Sequence, residues 1–192
     1  MGAQRSTSDS RLIRDSLAQP AAFAEIFERH FETVHRYVSR RVRDHAADDL
    51  ASDVFTVAFD RRGTFRDESD SALPWLLGIA THLLHNHGRA ERSAWNLNHR
   101  LQEAFSGEPT DGAADDVVTA ERGERLAGAL AGLSPEQRDV VLLFAWADLS
   151  YEQIAEALAV PLGTVRSRLS RARSELRVGL ADTITISREE NP

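Results

Sequence analysis

The stretch LSYEQIAEALAVPLGTVRSRLSRARSELR, Leu149 to Arg177, holds two helical patterns parted by a proline. Ser150 precedes Gln153 by three residues. At that spacing a hydroxyl satisfies an orphan amide of a helix's first turn while the glutamine reaches back to the cap. Ile154, Ala155 and Leu158 then share one apolar face, and the small Ala155 lets a second helix cross closely. Pro161 cannot continue that helix, yet its fixed φ and missing amide suit the first turn of the next. In the second pattern Val165, Leu169, Ala172 and Leu176 recur at three- and four-residue spacing and form a core stripe. The pair predicts a helix-turn-helix.

Thr164, Ser167, Arg171 and Ser174 fall on the far side of that second helix, with Arg166, Arg173 and Arg177 on its flank. Between Pro161 and Arg177 stand five arginines and one glutamate, a local net of +4 in a chain of net charge −7. A merely solvated helix can carry such a face, but turn, caps and charge together point to a polyanion. Arginine forks match guanine edges and phosphates, hydroxyls donate to phosphate oxygens, and Gly163 permits close backbone approach.

The chain has 192 residues, 42% of them hydrophobic and none of them cysteine. That length suits two small domains. The absence of cysteine removes disulfides, thiolate metal sites and a cysteine nucleophile. No apolar run approaches the ~20 residues of a membrane span and the polar N-terminus shows no signal-peptide core, so the expectation is a cytoplasmic protein without membrane insertion. A net charge of −7 opposes nonspecific nucleic-acid binding by the whole molecule. The charge must therefore be segregated.

Met1 to Gln19 is polar and without sustained period, and reads as a disordered tail. From Pro20 the residues Phe23, Ile26, Phe27, Phe31, Val34, Tyr37, Val38 and Val42 keep a helical period. The other side carries Arg36, Arg40, Arg41 and Arg43, a nucleic-acid or partner face if not simply solvated. In HAADDLASDVFTVAFDRR, Leu50, Val54 and Val57 make an apolar face. Asp48, Asp49 and Asp53 gather near the helix start, where they suit the dipole. Phe55 and Phe59 lie off the stripe and suggest a second packing surface or a protein partner.

After the loop GTFRDESDS a helix is predicted over about Ala72 to Ala90, with Pro74 in its first turn and Leu73, Leu76, Leu77, Ala80, Leu83 and Leu84 in its core. Trp75, Ile79, His82 and Asn86 form another line, between Phe65 and Arg66 upstream and Arg89 and Arg92 downstream. Aromatic and amide groups flanked by arginines are what unstacked bases are read with; Trp75 taken alone reads better as core. His82, His85 and His87 do not share a helix face, so neither metal nor cofactor is expected.

Around GEPTDGAADD the period fails. From Glu103 to Arg125 there are seven acidic residues and two arginines, either a solvated linker or a strand that imitates nucleic acid in a basic channel. A helix around Val117 to Leu130 precedes Ser134-Pro135-Glu136-Gln137, a second capping box. The helix it opens carries Val140, Val141, Leu143, Phe144 and Trp146, apolar nearly all round, as a buried post would be. The fold predicted is all-α: helical domains over 20–92 and 125–180, an acidic flexible linker over 93–124, a disordered tail over 1–19 and a C-terminal tail over 181–192.

With these segments in this order the chain resembles an extracytoplasmic-function (ECF) sigma factor nearly end to end. FAEIFERHFETVHRYVSRRV is similar to the start of the family's region 2, DDLASDVFTVAF to its core-polymerase-binding helix and PWLLGIATHLLHNHGR to its promoter-melting segment. LSPEQRDVVLLFAWADLSYEQIAEALAVPLGTVRSRLSRAR is similar to region 4. The resemblance implies a non-enzymatic initiation factor, monomeric when free, whose partners are the RNA polymerase core (β and β′ subunits), promoter DNA and an anti-sigma factor. It implies that Asp49, Leu50, Asp53, Val54 and Phe55 dock on the polymerase clamp. Phe65, Arg66, Trp75, Ile79, Ala80, His82 and Asn86 would sit by the melted −10 element, with Arg89 and Arg92 on phosphates. Thr164, Arg166, Ser167, Arg168, Arg171 and Arg173 would meet the −35 element, and the acidic linker would thread toward the RNA exit path. Thr81-His82 stands where the family often has Arg-Asn, and Gly88 where a basic residue is common, so the resemblance does not fix which −10 base is read. An imidazole cannot make the bidentate amide contact. A stand-alone repressor would need a dimer surface, and no spare heptad helix supplies one.

Overall fold

The structure is a computed structural model that describes the backbone of residues 7–42, 44–66, 70–102, 126 and 128–189; its side chains are described there except at 44–45, 90–102 and 179–189. Its first element corrects the expected disordered tail over 1–19. Helix α1 (Asp9–Ala18) starts at Ser8, whose Oγ accepts from the Arg11 amide. It buries Leu12 and Ile13. Ten residues with so few apolar positions show no sustained period, and what ties α1 down is a distant set of polar contacts. Asp9 is 4% exposed. Its Oδ1 accepts from Arg29 at 2.9 Å, and its Oδ2 lies 2.6 Å from His30 Nε2 and accepts from the Ala72 amide at 2.8 Å. Residues 1–6 lie outside the described residues.

A 3-10 turn (Pro20–Phe23) leads into α2 (Ala24–Ser39), followed by α3 (Asp44–Arg61), a second 3-10 turn (Arg62–Thr64) and α4 (Leu73–Gln102). Ile26, Val34, Val38, Ala51, Val54, Ala58, Leu76, Leu77 and Ala80 form the fully buried centre of this bundle. The second apolar side of α3 packs within the bundle: Phe59 meets the edge of Phe23 with ring centroids 5.4 Å apart, and Phe55 meets Phe27 at 4.9 Å. Helix α4 runs ten residues past the expected boundary at 92. Its sequence there, ERSAWNLNHRLQ, lacks glycine and proline, so the loss of apolar period removes a packing face without removing helix propensity.

The second body comprises α5 (Pro135–Ala145), α6 (Tyr151–Leu158) and α7 (Leu162–Glu189). Both capping boxes form. Ser134 Oγ accepts from the Gln137 amide at 3.3 Å while Gln137 Oε1 accepts from the Ser134 amide at 2.9 Å; the Ser150 and Gln153 pair does the same at 3.2 and 2.8 Å. Between α6 and α7 the chain turns through Ala159, left-handed with φ 51°, and the Val160 amide reaches the Ala155 carbonyl at 3.0 Å. Val140, Leu143, Ile154, Val165, Leu169 and Ala172 fill this core. Phe144 is 38% exposed, so α5 is not buried all round. Helix α7 continues to Glu189, into the region expected as a C-terminal tail. Residues 103–125, most of the expected linker, lie outside the described residues.

The two bodies share one continuous hydrophobic cluster. They touch where α4 crosses α6. Gly78 sits at the crossing, and a Cβ there would collide with the Ala157 carbonyl oxygen. Only a residue without a side chain lets the two backbones approach so closely.

Candidate nucleic-acid interface

Helix α7 presents the first face. Its stripe of Val165, Leu169 and Ala172 is turned into the core, and a helix buried along one side must expose the residues between. Arg166, Ser167, Arg171 and Arg173 are exposed, Thr164 and Arg168 half-buried. Among the described residues no carboxylate forms an ion pair with Arg166, Arg168 or Arg171. Arg173 lies against neighbouring surface side chains, its guanidinium 5.4 Å from the Phe144 ring centre and 3.4 Å from the Tyr151 hydroxyl. Ser167 Oγ donates to the Thr164 carbonyl at 3.0 Å. Arg166 and Arg171 are thus the freest of the predicted −35 contacts.

The second face runs along α4. Phe65 meets the edge of Trp75 at 5.1 Å, and together with Ile79, His82 and Asn86 they line one wall of a cleft of about 900 Å³. His82 and Asn86 are exposed, Trp75 and Ile79 half-buried. Arg66 and Arg89 are exposed, and the Arg92 side chain lies outside the described residues. Ala80 does not belong to this face: it is 0% exposed in the bundle core, on the opposite side of α4 from the cleft. Its neighbour Thr81 is also buried, its hydroxyl 2.9 Å from that of Tyr37. Arg61 and Val57 of α3 line the cleft as well. Sequence reading missed them, although Arg61 opens the Arg-Arg pair that ends α3.

The opposite wall of the cleft is α6, through Ala155, Glu156, Ala157, Ala159 and Val160. Nothing in the sequence signalled this, since the two walls come from separate domains.

The third face belongs to α3. Asp49 and Asp53 are exposed, whereas Leu50, Val54 and Phe55 are 8%, 0% and 5% exposed. These three lie in the core of the free chain and hold the helix that displays the aspartates. On the Phe55 side of α3, Phe27 of α2 is 41% exposed and stacked on Phe31 at 4.7 Å.

Comparison with known proteins places both bodies. The family profile for sigma-70 region 2 matches residues 26–94 and that for sigma-70 region 4 matches residues 123–176. The chain is 30% identical to the RNA polymerase sigma factor YlaC of Bacillus subtilis, over 86% of this chain and 94% of that one. It is 29% identical to the ECF RNA polymerase sigma factor SigK of Mycolicibacterium vanbaalenii, over 88% and 87% of the two chains. In fold it is similar to the sigma factor RpoE in its complex with the anti-sigma factor NepR from Bartonella quintana, with a TM-score of 0.55 and 22% identity over 83% of this chain and 96% of that one.

Proposed function

This chain belongs to the ECF group of the sigma-70 family of RNA polymerase sigma factors, and on that premise we propose which of its surfaces meets which partner. A sigma factor recognises promoters for RNA polymerase and so starts transcription. Here Arg166 and Arg171, supported by Thr164, Ser167 and Arg168, enter the major groove of the −35 element. Trp75, Ile79, His82 and Asn86, with Phe65 and Arg66, receive the unstacked −10 strand, and Arg89 holds phosphate. Asp49 and Asp53 dock on the clamp of the polymerase core. One polymerase-bound body then carries two weak DNA contacts whose strengths combine through effective concentration.

The observation that carries this reading is the segregation of charge. A chain of net charge −7 displays exposed arginines, Arg166 and Arg171, on α7 and exposed aspartates, Asp49 and Asp53, on α3, and the arginines are opposite in sign to the DNA assigned to them. A cytoplasmic location follows from the partner; among the described residues no helix is long and apolar enough to cross a membrane. We extend to this chain an anti-sigma partner, as RpoE has in its complex with NepR; co-purification from the host without any regulator would argue against it. The function is tested by run-off transcription with bacterial core polymerase and a promoter library. Start sites that appear only with the protein support the reading. Failure to bind core and to direct any start overturns it.

A further inference from the structure

The arginines at the end of α2 have no place in the assignments above. Arg41 donates from Nη1 to the Tyr37 hydroxyl at 2.6 Å and from Nη2 to Asp139 Oδ1 at 2.7 Å. His85 Nε2 lies 2.8 Å from Asp139 Oδ2. The Arg40 guanidinium lies 5.3 Å from the Trp146 ring centre. Arg40, Arg41 and His85 belong to the first body, Asp139 and Trp146 to the second. Asp139 is 3% exposed, and both its oxygens are engaged across the boundary. A carboxylate is not buried without such partners, so its burial makes sense only while the two bodies are closed on one another.

The closed chain cannot use both DNA faces together. Helix α6 packs on both α4 and α7, which leaves the two DNA faces about two interhelical distances apart, ~20 Å. Elements centred at −35 and −10 lie ~25 base pairs apart, ~80 Å along the duplex. On a promoter the bodies must separate, and separation frees Arg41 and His85 from Asp139 and Arg40 from the Trp146 ring; Arg40 is exposed already in the closed chain. In the closed chain they line, with Arg89 and with residues of the second body, a cleft of about 500 Å³, and His85 adjoins Asn86 on α4. The freed groups extend the face assigned to the −10 strand.

We propose that Arg40, Arg41 and His85 form a further phosphate-binding surface for promoter DNA, and that Asp139 occupies it in the free chain where a DNA phosphate sits in the open one. A carboxylate held by a guanidinium on one oxygen and an imidazole on the other presents the charge and the acceptors of a phosphate. The proposal rests on the sigma-factor reading and adds a ligand surface to region 2 together with the group that masks it.

The test measures binding of the free protein, without polymerase, to a labelled forked oligonucleotide of arbitrary sequence, because phosphate contacts carry no sequence information. Asp139→Asn removes the masking charge. Gly78→Ala forces α4 and α6 apart with no change of charge and with a better helix former. Both variants are expected to bind about ten-fold or more tightly than wild type at low salt, with a log–log salt dependence steeper by ~2, since two or three phosphates are newly neutralised. Adding Arg40→Gln and His85→Gln to either variant should return binding to the wild-type level. The proposal is overturned if Gly78→Ala, helical by circular dichroism, binds no better than wild type, or if the gain survives the loss of Arg40 and His85. Gly78→Ala decides alone should Asp139→Asn not fold. Run-off activity is read separately, so loss of the sigma-factor reading would appear there and not in this assay.

Discussion

Asp9 shows how one side chain can fix the geometry of a distant site. Its carboxylate joins α1 to α2 through Arg29 and His30, and to the start of α4 through the Ala72 amide. Burial by itself would raise its pKa, but the contacts from His30, the Ala72 amide and Arg29 outweigh burial and hold it below the ordinary value. A depressed carboxylate contributes stability that is present above its unfolded pKa of ~3.9 and is lost as pH falls through the folded value. Acid titration of the protein should therefore show a stability loss below about pH 4 that Asp9→Asn lacks. At neutral pH Asp9→Ala should lower the unfolding free energy in urea by ~2–3 kcal/mol, because it leaves buried donors unpaired. Arg171→Ala should leave the fold intact and cost ~1–3 kcal/mol of discrimination at one −35 position, read as transcription from promoters mutated there. If all −35 variants suffered equally, Arg171 would be a phosphate contact.

At the scale of elements, what was legible in the sequence was what is local. Ser134 and Ser150 announced α5 and α6 because a capping box is written within four residues, and the turn at Pro161 is equally local. Asp139, four residues into α5, reads in sequence as an acidic companion of a helix N-terminus; its true partner Arg41 is 98 residues away. Gly78 reads as a flaw in a helix, and becomes the crossing point only once α6 lies over it. Ala80, Leu50 and Val54 read as core stripe and are buried, although the family resemblance also assigns them to contact surfaces. Helix α1 was missed because its hold is polar and tertiary. Its removal by deleting residues 1–18 should impair promoter melting, read by permanganate reactivity, more than it impairs −35 binding. The left-handed Ala159 between α6 and α7 offers a stability test: Ala159→Gly should raise the unfolding free energy by ~0.5–1 kcal/mol, as glycine bears no Cβ penalty in that conformation.

At the scale of the molecule, the two helical bodies were legible and their contact was not. Hydrophobic periodicity reports that a face is buried without saying against what. Leu76 and Leu77 pack into their own bundle, while Gly78 and Ile79, next in sequence, meet the other domain or the cleft. The proposed chain is closed when free, with α6 lying over the wall assigned to the −10 strand, and open on the polymerase. Because the chain has no cysteine, Ala18→Cys and Ala145→Cys, both at exposed positions, place one dye on each body. Energy transfer between them, followed as core polymerase and promoter are added, tests the account most directly. It predicts high transfer in the free protein and a fall to low transfer on the polymerase–promoter complex. Transfer that stays unchanged while run-off transcripts are made would contradict it.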